Sequence, residues 1–458
     1  MKSDTGNGFN AFPLFPFSPF PPGFPPGRKP PRILVVAGEA SGDDHAARLV
    51  AAMREFCPNA EFLGVGGEEM RAQGVRILTP ASELAVVGLM EVVGHLPAIW
   101  GALRSIARVL KTSRPDLVIL VDFPDFNFWV ARLARYYRVP VLYYISPQVW
   151  AWRTYRVRTL ARLTDRLVVI FPFEADFYRG QGVSVDYVGH PFRETLPPLA
   201  DRRVFLLGHN LDAEALTIAL LPGSRAGEIE RHLPTMLEAA SLIHRSIPQT
   251  QFILPLASTA PAGLVERLVE EFWIDLRGRP GDKIPPPSPQ TPLPPACKGL
   301  GEGDWGRGEG LSAPRPLPQN GPTITIITGQ AYQALGAAHV AVVASGTATV
   351  EAALAGVPTV IVYRVSPLTF ALARRLVRVE HMGMANLLAG ERVFPELLQD
   401  DFTPERLAHE VLSLIQDPGR MKAVRRGLAT VIRRLGGPGA SRRAARVAVE
   451  LMTSARPG

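Results

Sequence analysis

The stretch Ala338 to Arg364, AHVAVVASGTATVEAALAGVPTVIVYR, decides the fold class of this chain. An apolar, β-branched run ends at Ala344, small residues form a turn at 345–347, and a short helix follows to Ala355 before a second apolar run after Pro358. Both runs are apolar throughout, which is typical of parallel strands covered on both faces. The pattern therefore predicts one strand-helix-strand unit of a doubly wound α/β sheet.

The turn of this unit is a candidate ligand site. Ser345, Gly346 and Thr347 stand where free backbone N–H groups at a helix N-terminus meet the carboxyl end of a strand, a place suited to phosphate. Glu351 follows about one helical turn later, where a carboxylate can accept hydrogen bonds from ribose hydroxyls. Small residues at such a turn often serve only tight packing, so the turn alone does not establish nucleotide binding.

Composition limits the class of partner. The chain has 458 residues, enough for two to three domains, with a net charge of +8 and a pI of about 9.7. A basic chain favours anionic partners, namely nucleotides, phospholipid surfaces or nucleic acid. Two cysteines argue against a disulfide framework and a cysteine zinc site, and we expect no metal and no cofactor. The sequence contains no uninterrupted run of about twenty apolar residues, so it predicts no transmembrane helix.

Repeated strand and helix patterns predict two doubly wound domains. The first covers 32–195 and follows a disordered Pro/Phe-rich tail at 1–31. The second covers 196–445 and is interrupted by a disordered Pro/Gly-rich insertion at 278–322, and a tail at 446–458 ends the chain.

Three strand ends of the first domain carry candidate residues. The strand at 32–37 leads into a loop, Gly38-Glu39-Ala40-Ser41-Gly42-Asp43, which is not a G-x-G-x-x-G fingerprint. Asp122 is the first polar residue after the strand at 116–121 and is our candidate general base, whereas Asp125 is expected to cap the next helix. His190 follows the last strand and either acts in catalysis or only forms a hydrogen bond.

Two stretches of the first domain suit a lipid surface. Residues 84–100, LAVVGLMEVVGHLPAIW, are apolar and read equally well as core or as an acyl-chain contact. The WAW segment at 150–152 precedes a run of arginines whose helical spacing fits either a solvated face or an anionic surface.

The second domain opens with a similar arrangement. A strand at 216–221 ends in Pro222-Gly223-Ser224-Arg225, and a helix follows. Arg225 is placed to pair with a diphosphate, although an exposed arginine after a turn would look the same.

Ten motifs in order make the chain resemble the lipid-A-disaccharide synthase family, glycosyltransferases of the GT-B type in family 19. They are AGEASGD (37–43), ELAVVGLMEVVGH (83–95), VDFPDFN (121–127), YYISPQVWAWR (143–153), FPFE (171–174), VGHP (188–191), LLPGSRAGEIERHLP (220–234), ASGTATVEAALAGVP (344–358), YR (363–364) and NLLAGERVFPELLQ (386–399).

The resemblance implies two Rossmann-like domains facing a cleft and an inverting transfer. The donor would be UDP-2,3-diacylglucosamine, the acceptor 2,3-diacylglucosamine 1-phosphate, and the products a β-1,6 lipid A disaccharide 1-phosphate and UDP. It also implies a cytoplasmic enzyme, peripheral on the inner face of the inner membrane. It leaves the oligomeric state open, a homodimer included.

The same resemblance, together with the residue chemistry, assigns the site. Asp122 is the expected base. The donor-binding residues are Gly223, Ser224, Arg225, Ser345, Gly346, Thr347, Glu351 and Asn386, and the acceptor-binding residues are Gly38, Glu39, Ser41, Gly42, Asp43 and His190.

Some readings stay open at this point. Glu391-Arg392 reverses the family's usual order, which leaves the role of Arg392 undecided. The alternatives are a UDP-sugar 2-epimerase or a transferase with another acceptor, and a non-catalytic membrane-surface protein. Nucleic-acid binding by the basic C-terminal helices lacks any recognisable module.

Overall fold

A computed structural model describes residues 29–84, 92–152, 154–257, 260–261, 263–278, 321–366, 370 and 381–454. The predicted tail at 1–31 and insertion at 278–322 lie almost entirely outside these ranges, as do residues 85–91 of the apolar stretch.

The strands alternate with helices along the chain. The strands are β1 (Arg32–Ala37), β2 (Glu61–Gly66), β3 (Arg76–Pro80), β4 (Leu117–Val121), β5 (Val141–Tyr144), β6 (Arg166–Val169), β7 (Val185–Tyr187), β8 (Leu216–Leu221), β9 (Thr250–Leu256), β10 (Thr323–Thr328), β11 (Val340–Ala344), β12 (Thr359–Tyr363) and β13 (Glu396–Leu398).

The helices are α1 (Ala40–Phe56), α2 (Glu68–Ala72), α3 (Val92–Thr112), α4 (Pro124–Tyr136), α5 (Val149–Trp152), α6 (Val157–Leu163), α7 (Pro172–Arg179), α8 (Phe192–Thr195), α9 (Arg202–Gly208), α10 (Ala226–Ser246), α11 (Leu264–Gly278), α12 (Ala331–Ala337), α13 (Ala348–Leu354), α14 (Met384–Ala389), α15 (Pro404–Gln416), α16 (Pro418–Arg434) and α17 (Ala440–Ser454). A 3₁₀ turn at Thr154–Arg156 precedes α6.

Two compact units divide the chain. The first contains Met1–Ile170, Glu174–Pro191 and Gly439–Gly458, and the second contains Phe171–Phe173 and Phe192–Pro438. The first unit therefore includes α17, which packs against α1. The predicted domain limits at 195 and 445 and the predicted tail at 446–458 differ from this division, because a helix covers most of that tail.

Each unit is built on one sheet of parallel strands. The orders are β3-β2-β1-β4-β5-β6-β7 and β10-β9-β8-β11-β12-β13. In both, the first strand of the unit lies between the second and the fourth, so the strand order reverses on either side of it. Ligands of doubly wound sheets bind outside the carboxyl ends of the strands at this switch point. The predicted fold class of two doubly wound units is confirmed.

Burial explains why the strands are apolar throughout. In the first unit, side chains of β1 and β4 such as Leu34, Val36 and Leu120 pack under α3, α4 and α6 in one core. The opposite sheet face carries Val35 and Ile119, which are also fully buried. Apart from Arg32, every strand residue of this central pair thus removes apolar area from water, which stabilises the sheet by about 25 cal/mol per Å².

Local departures from the sequence prediction concern short elements. The edge strands β3 and β13 were not predicted, because a five-residue and a three-residue strand leave too little pattern. The loop predicted at 38–43 is shorter than expected, since α1 already begins at Ala40. The basic C-terminal stretch forms two helices, α16 and α17.

Candidate functional site

The first unit brings two predicted loops together at its switch point. Gly38 follows β1 and Asp122 follows β4, and these strands are paired through Ala37 and Val121. A Cβ atom at Gly38 would lie 2.1 Å from Cδ1 of Phe123. Gly38 is therefore required for the close approach of the two loops.

The backbone at Asp122 is strained. Asp122 and Phe123 have φ angles of 46° and 47°, the left-handed region that non-glycine residues rarely adopt. Such residues cost on the order of 1–3 kcal/mol each and collect at functional sites. The Asp122 carbonyl accepts hydrogen bonds from Asn127 Nδ2 at 2.7 Å and from the Tyr143 hydroxyl at 2.6 Å. These two buried side chains hold the strained peptide in place.

The Asp122 carboxyl group is prepared for proton transfer near neutral pH. Burial, and then the nearby negative charge of Glu39, raise its pKa from 3.8 to about 6. A base works best when its pKa lies near the working pH. Asp122 can therefore be ionised at pH 7 and still bind a proton readily.

Asp125, three residues on, does not cap α4 as predicted. The helix has no side-chain cap, and the exposed Asp125 carboxylate pairs instead with Arg156 at 2.8 Å.

His190 lies just after β7 and is buried, with 2% exposure. Burial, and then the neighbouring His45, lower its pKa from 6.5 to about 3. It therefore stays neutral at physiological pH, so a role as a hydrogen-bonding group fits better than a role as a base. Arg443 of α17 donates to the carbonyl of Val188 at 2.7 Å and anchors this strand end, a contact that sequence reasoning missed.

The remaining acceptor candidates divide into exposed and internal groups. Glu39 and Ser41 are exposed around the start of α1, where a ligand can reach them. Asp43 is buried, and its carboxylate accepts from the backbone N–H groups of Gly67 at 2.6 Å and Glu69 at 3.0 Å. Asp43 thus caps α2 and is at odds with its predicted contact to the acceptor.

In the second unit, the turn after β8 presents Arg225 at the N-terminus of α10. Gly223 has a φ of 122°, and Ser224 and Arg225 are exposed. The carboxylate of Glu228 accepts from the N–H of Ser224 at 3.1 Å and lies 3.4 Å from Arg225 Nη1. An anionic group thus already occupies the N–H groups at the start of a 21-residue helix.

His232 supports this turn from inside the unit. Its Nδ1 lies 2.7 Å from the Pro222 carbonyl, and its Nε2 accepts from the N–H of Arg364 at 2.9 Å. These bonds place the proton on Nδ1 and link the turn to the end of β12. Sequence reasoning missed both supports, although Glu228 and His232, four residues apart on one helix face, are the available signal.

The turn Ser345-Gly346-Thr347 follows β11 in the second unit. Ser345 Oγ donates to the carbonyl of Met382 at 2.7 Å, which ties the turn to the residues before α14. Gly346 has a φ of 156°, and Gly346 and Thr347 are exposed. Because β8 and β11 are neighbours, this turn and the Arg225 turn lie at the same edge of the sheet.

Glu351 lies in α13 directly behind this turn. Burial raises its pKa from 4.5 to about 7, and it interacts with Tyr332. A carboxyl group with a pKa near neutral can accept hydrogen bonds from vicinal hydroxyls when it is ionised.

Asn386, a predicted donor-binding residue, forms its side-chain hydrogen bonds with protein groups. Its side chain is fully buried, donates to the Phe394 carbonyl at 2.9 Å and to Glu396 Oε1 at 2.7 Å, and accepts from the Phe394 N–H. Arg392 similarly donates to the Glu396 carbonyl at 2.8 Å. Both side chains stabilise the α14–β13 connection.

Within the ranges that the structure describes, no group of three or more His, Cys, Asp or Glu side chains is arranged to hold a metal ion. In the same part of the chain, no helix is both long and apolar enough to cross a membrane.

Comparisons with known proteins agree with this architecture. A crystallised glycosyltransferase of kitacinnamycin is similar with a TM-score of 0.56 and 16% identity, over 93% of this chain and all of the other. The UDP-GlcNAc 2-epimerase from Neisseria meningitidis bound to UDP-GlcNAc has a TM-score of 0.52 and 12% identity, over 92% of this chain and all of the other. At these identities the likeness shows the GT-B fold alone.

Sequence comparisons are more specific. A relative from Geobacter sulfurreducens named lipid-A-disaccharide synthase is 41% identical over 92% of this chain and 97% of its own length. One of the same name from Myxococcus xanthus is 42% identical over 93% and 99%. A family profile described as lipid-A-disaccharide synthetase matches residues 33–278 and 317–450. The chain therefore belongs to the lipid-A-disaccharide synthase family of glycosyltransferases.

Proposed function

We propose that this chain transfers 2,3-diacylglucosamine from its UDP donor to the 6-hydroxyl of 2,3-diacylglucosamine 1-phosphate, with inversion. The products are the β-1,6 lipid A disaccharide 1-phosphate and UDP. The observation that best supports this proposal is the state of the Asp122 carboxyl group. It has a pKa of about 6 and lies on a strained strand end at the switch point of the first unit.

Asp122 acts as the base in this proposal. It takes the proton from the acceptor hydroxyl as the oxygen attacks the anomeric carbon, and the bond to UDP breaks on the opposite side. Glu39, Ser41 and the neutral His190 offer hydrogen bonds to the acceptor, and Gly38 provides the close backbone approach.

The second unit binds the donor and stabilises the departing UDP. Arg225 and the turn at 345–347 face the diphosphate, whose negative charge grows as the bond breaks. Glu351 accepts hydrogen bonds from the ribose hydroxyls. Asp43 and Asn386 support loops and do not contact ligands in this proposal.

The substrates place the protein at a membrane. Because donor and acceptor carry acyl chains, we further propose peripheral attachment to the cytoplasmic face of the inner membrane.

The first test measures UDP release from the acylated donor with and without acceptor, using detergent-dispersed substrates and mass spectrometry of the product. We expect release that depends on acceptor, together with a disaccharide carrying one phosphate. Conversion of the donor sugar without acceptor would favour an epimerase. UDP binding without any turnover would contradict the transferase assignment.

A further inference from the structure

The outer surface of the first unit exposes an unusual set of aromatic rings. Among the side chains whose exposure the structure describes, the exposed large aromatic ones are Trp100, Trp129, Tyr136 and Tyr155, which are 57–79% exposed. All four belong to α3, α4 and the 3₁₀ turn before α6, elements of one helical layer. Large aromatic side chains are usually mostly buried, so their concentration on one layer calls for a partner.

Two of these rings line one shallow cavity. The cavity has a volume of about 300 Å³ and lies between α4 and the start of α6, with Trp129, Arg132 and Tyr155 in its wall. The Arg132 guanidinium carbon lies 5.0 Å from the centre of the Trp129 ring. Tyr136 continues the Trp129–Arg132 stripe of α4, because it follows at helical spacing.

The charge of this layer is positive. The segments α3 and α6 contain no acidic residue, and the only acid in α4, Asp125, is paired with Arg156. The exposed cations of these helices include Arg104, Arg132 and Arg158. None of these three has an ion pair with a described acidic side chain.

The WAW segment that the sequence singled out is a weaker candidate. Trp150 is only 8% exposed and donates its indole N–H to Glu174 at 3.0 Å. Trp150 therefore packs and bonds inside the first unit.

We propose that the aromatic–basic face, defined by Trp100, Trp129, Arg132, Tyr136, Tyr155 and Arg158, docks on the surface of an anionic phospholipid bilayer. Trp and Tyr rings favour the boundary between acyl chains and headgroups, and arginines attract anionic lipids. The helix α4 begins directly after Asp122 and Phe123, so docking brings the base close to the layer that holds acylated substrates. The inference rests on the proposed function only for the lipid nature of these substrates.

The test uses the full chain and vesicles without substrate. Co-sedimentation is measured with phosphatidylcholine vesicles that do or do not contain phosphatidylglycerol, at low and high salt. The variants are Trp129→Ser with Tyr155→Ser, and Arg132→Gln with Arg158→Gln. The control is Val204→Ser with Leu207→Ser, two exposed apolar residues of α9 in the second unit.

We expect wild type and control to bind anionic vesicles, more weakly at high salt. The aromatic double variant should lose at least about tenfold in vesicle partitioning, and the arginine variant about fivefold per charge removed. Equal binding by face variants and wild type, or no binding by wild type, would overturn the inference. So would a dimer in light scattering that the aromatic variant converts to a monomer, because the face would then bind a second copy.

Activity on detergent-dispersed substrates separates the two proposals. Both face variants should keep wild-type turnover there, since none of the changed residues belongs to the proposed catalytic or donor site. A wild type that binds vesicles but produces no disaccharide would contradict the proposed reaction and leave the docking face standing.

Discussion

The two units share one sheet topology, yet they present different chemistry at their strand ends. In the first, the carboxyl group of Asp122 stands on left-handed backbone beside a second acid, Glu39. In the second, two turns open onto helix N-termini, with Arg225 in front and the partly buried Glu351 behind. The first arrangement suits proton transfer and the second suits an anionic nucleotide. A common fold therefore leaves function to a few side chains and local backbone angles.

The largest effect is expected at Asp122. Asp122→Asn removes the base and should lower kcat about 10²–10⁴-fold, with donor affinity unchanged because the change lies in the acceptor unit. In wild type, kcat/KM should rise with pH through about 6 and level off above, since the base must be ionised. Asp125→Asn is the matched control, because that carboxylate is 74% exposed. A fully active Asp122→Asn would assign the base elsewhere.

The next effect tests the second unit at Arg225. Loss of a charge-assisted hydrogen bond costs about 1.5–3 kcal/mol, so Arg225→Gln should weaken UDP binding about 10–100-fold. Calorimetric titration with UDP measures it. Arg245→Gln, an exposed arginine at the other end of α10, should bind as wild type does. Equal losses in both variants would indicate a general charge effect and not a diphosphate contact.

Glu351 tests the nucleotide-binding role of the second unit, because its carboxyl group is proposed to bind ribose and not to move protons. Wild type should prefer UDP over 2′-deoxy-UDP by about tenfold, the value of one hydrogen bond. Glu351→Gln should bring this preference close to one, whereas the exposed Glu270→Gln should retain it. An unchanged preference in Glu351→Gln would remove Glu351 from the ribose site.

The smallest effect distinguishes a structural role of Asp43 from a role in acceptor binding within the first unit. Asp43→Ala should lower the free energy of unfolding by about 1–2 kcal/mol, because the N–H groups at the start of α2 lose their cap. The KM for acceptor should stay unchanged. Asp44→Ala loses only a partly exposed pair with Arg48 and should cost less than about 0.5 kcal/mol. Thermal unfolding with and without acceptor measures the change in stability, and the rate at varied acceptor concentration gives KM. A raised KM in Asp43→Ala would restore its acceptor role.

Much of the fold was predictable because its signals are local. The apolar runs that became β1, β4, β8 and β11 end within one residue of their predicted positions, and a loop with candidate site residues follows each. The short edge strands were missed, since β13 offers only three residues and its Glu396 serves buried hydrogen bonds. The start of α1 was misplaced, because Ser41 and Gly42 resemble a loop in sequence but form the first turn of the helix.

The sequence was enough to predict the order of strands and helices, the placement of candidate residues at strand ends, and the family, because these depend on local pattern and on motifs. The folded structure adds which candidate side chains already have protein partners. Asp43 accepts a hydrogen bond from a backbone N–H 24 residues away, and Asn386 accepts one from a backbone N–H eight residues away. Glu228 and His232 hold the Arg225 turn, and Glu39 shifts the pKa of Asp122 across two strands. The Asp43 and Glu39 contacts join loops that only the folded sheet brings together, whereas the Glu228 and His232 contacts lie within one turn and its helix, where residue spacing gives a signal.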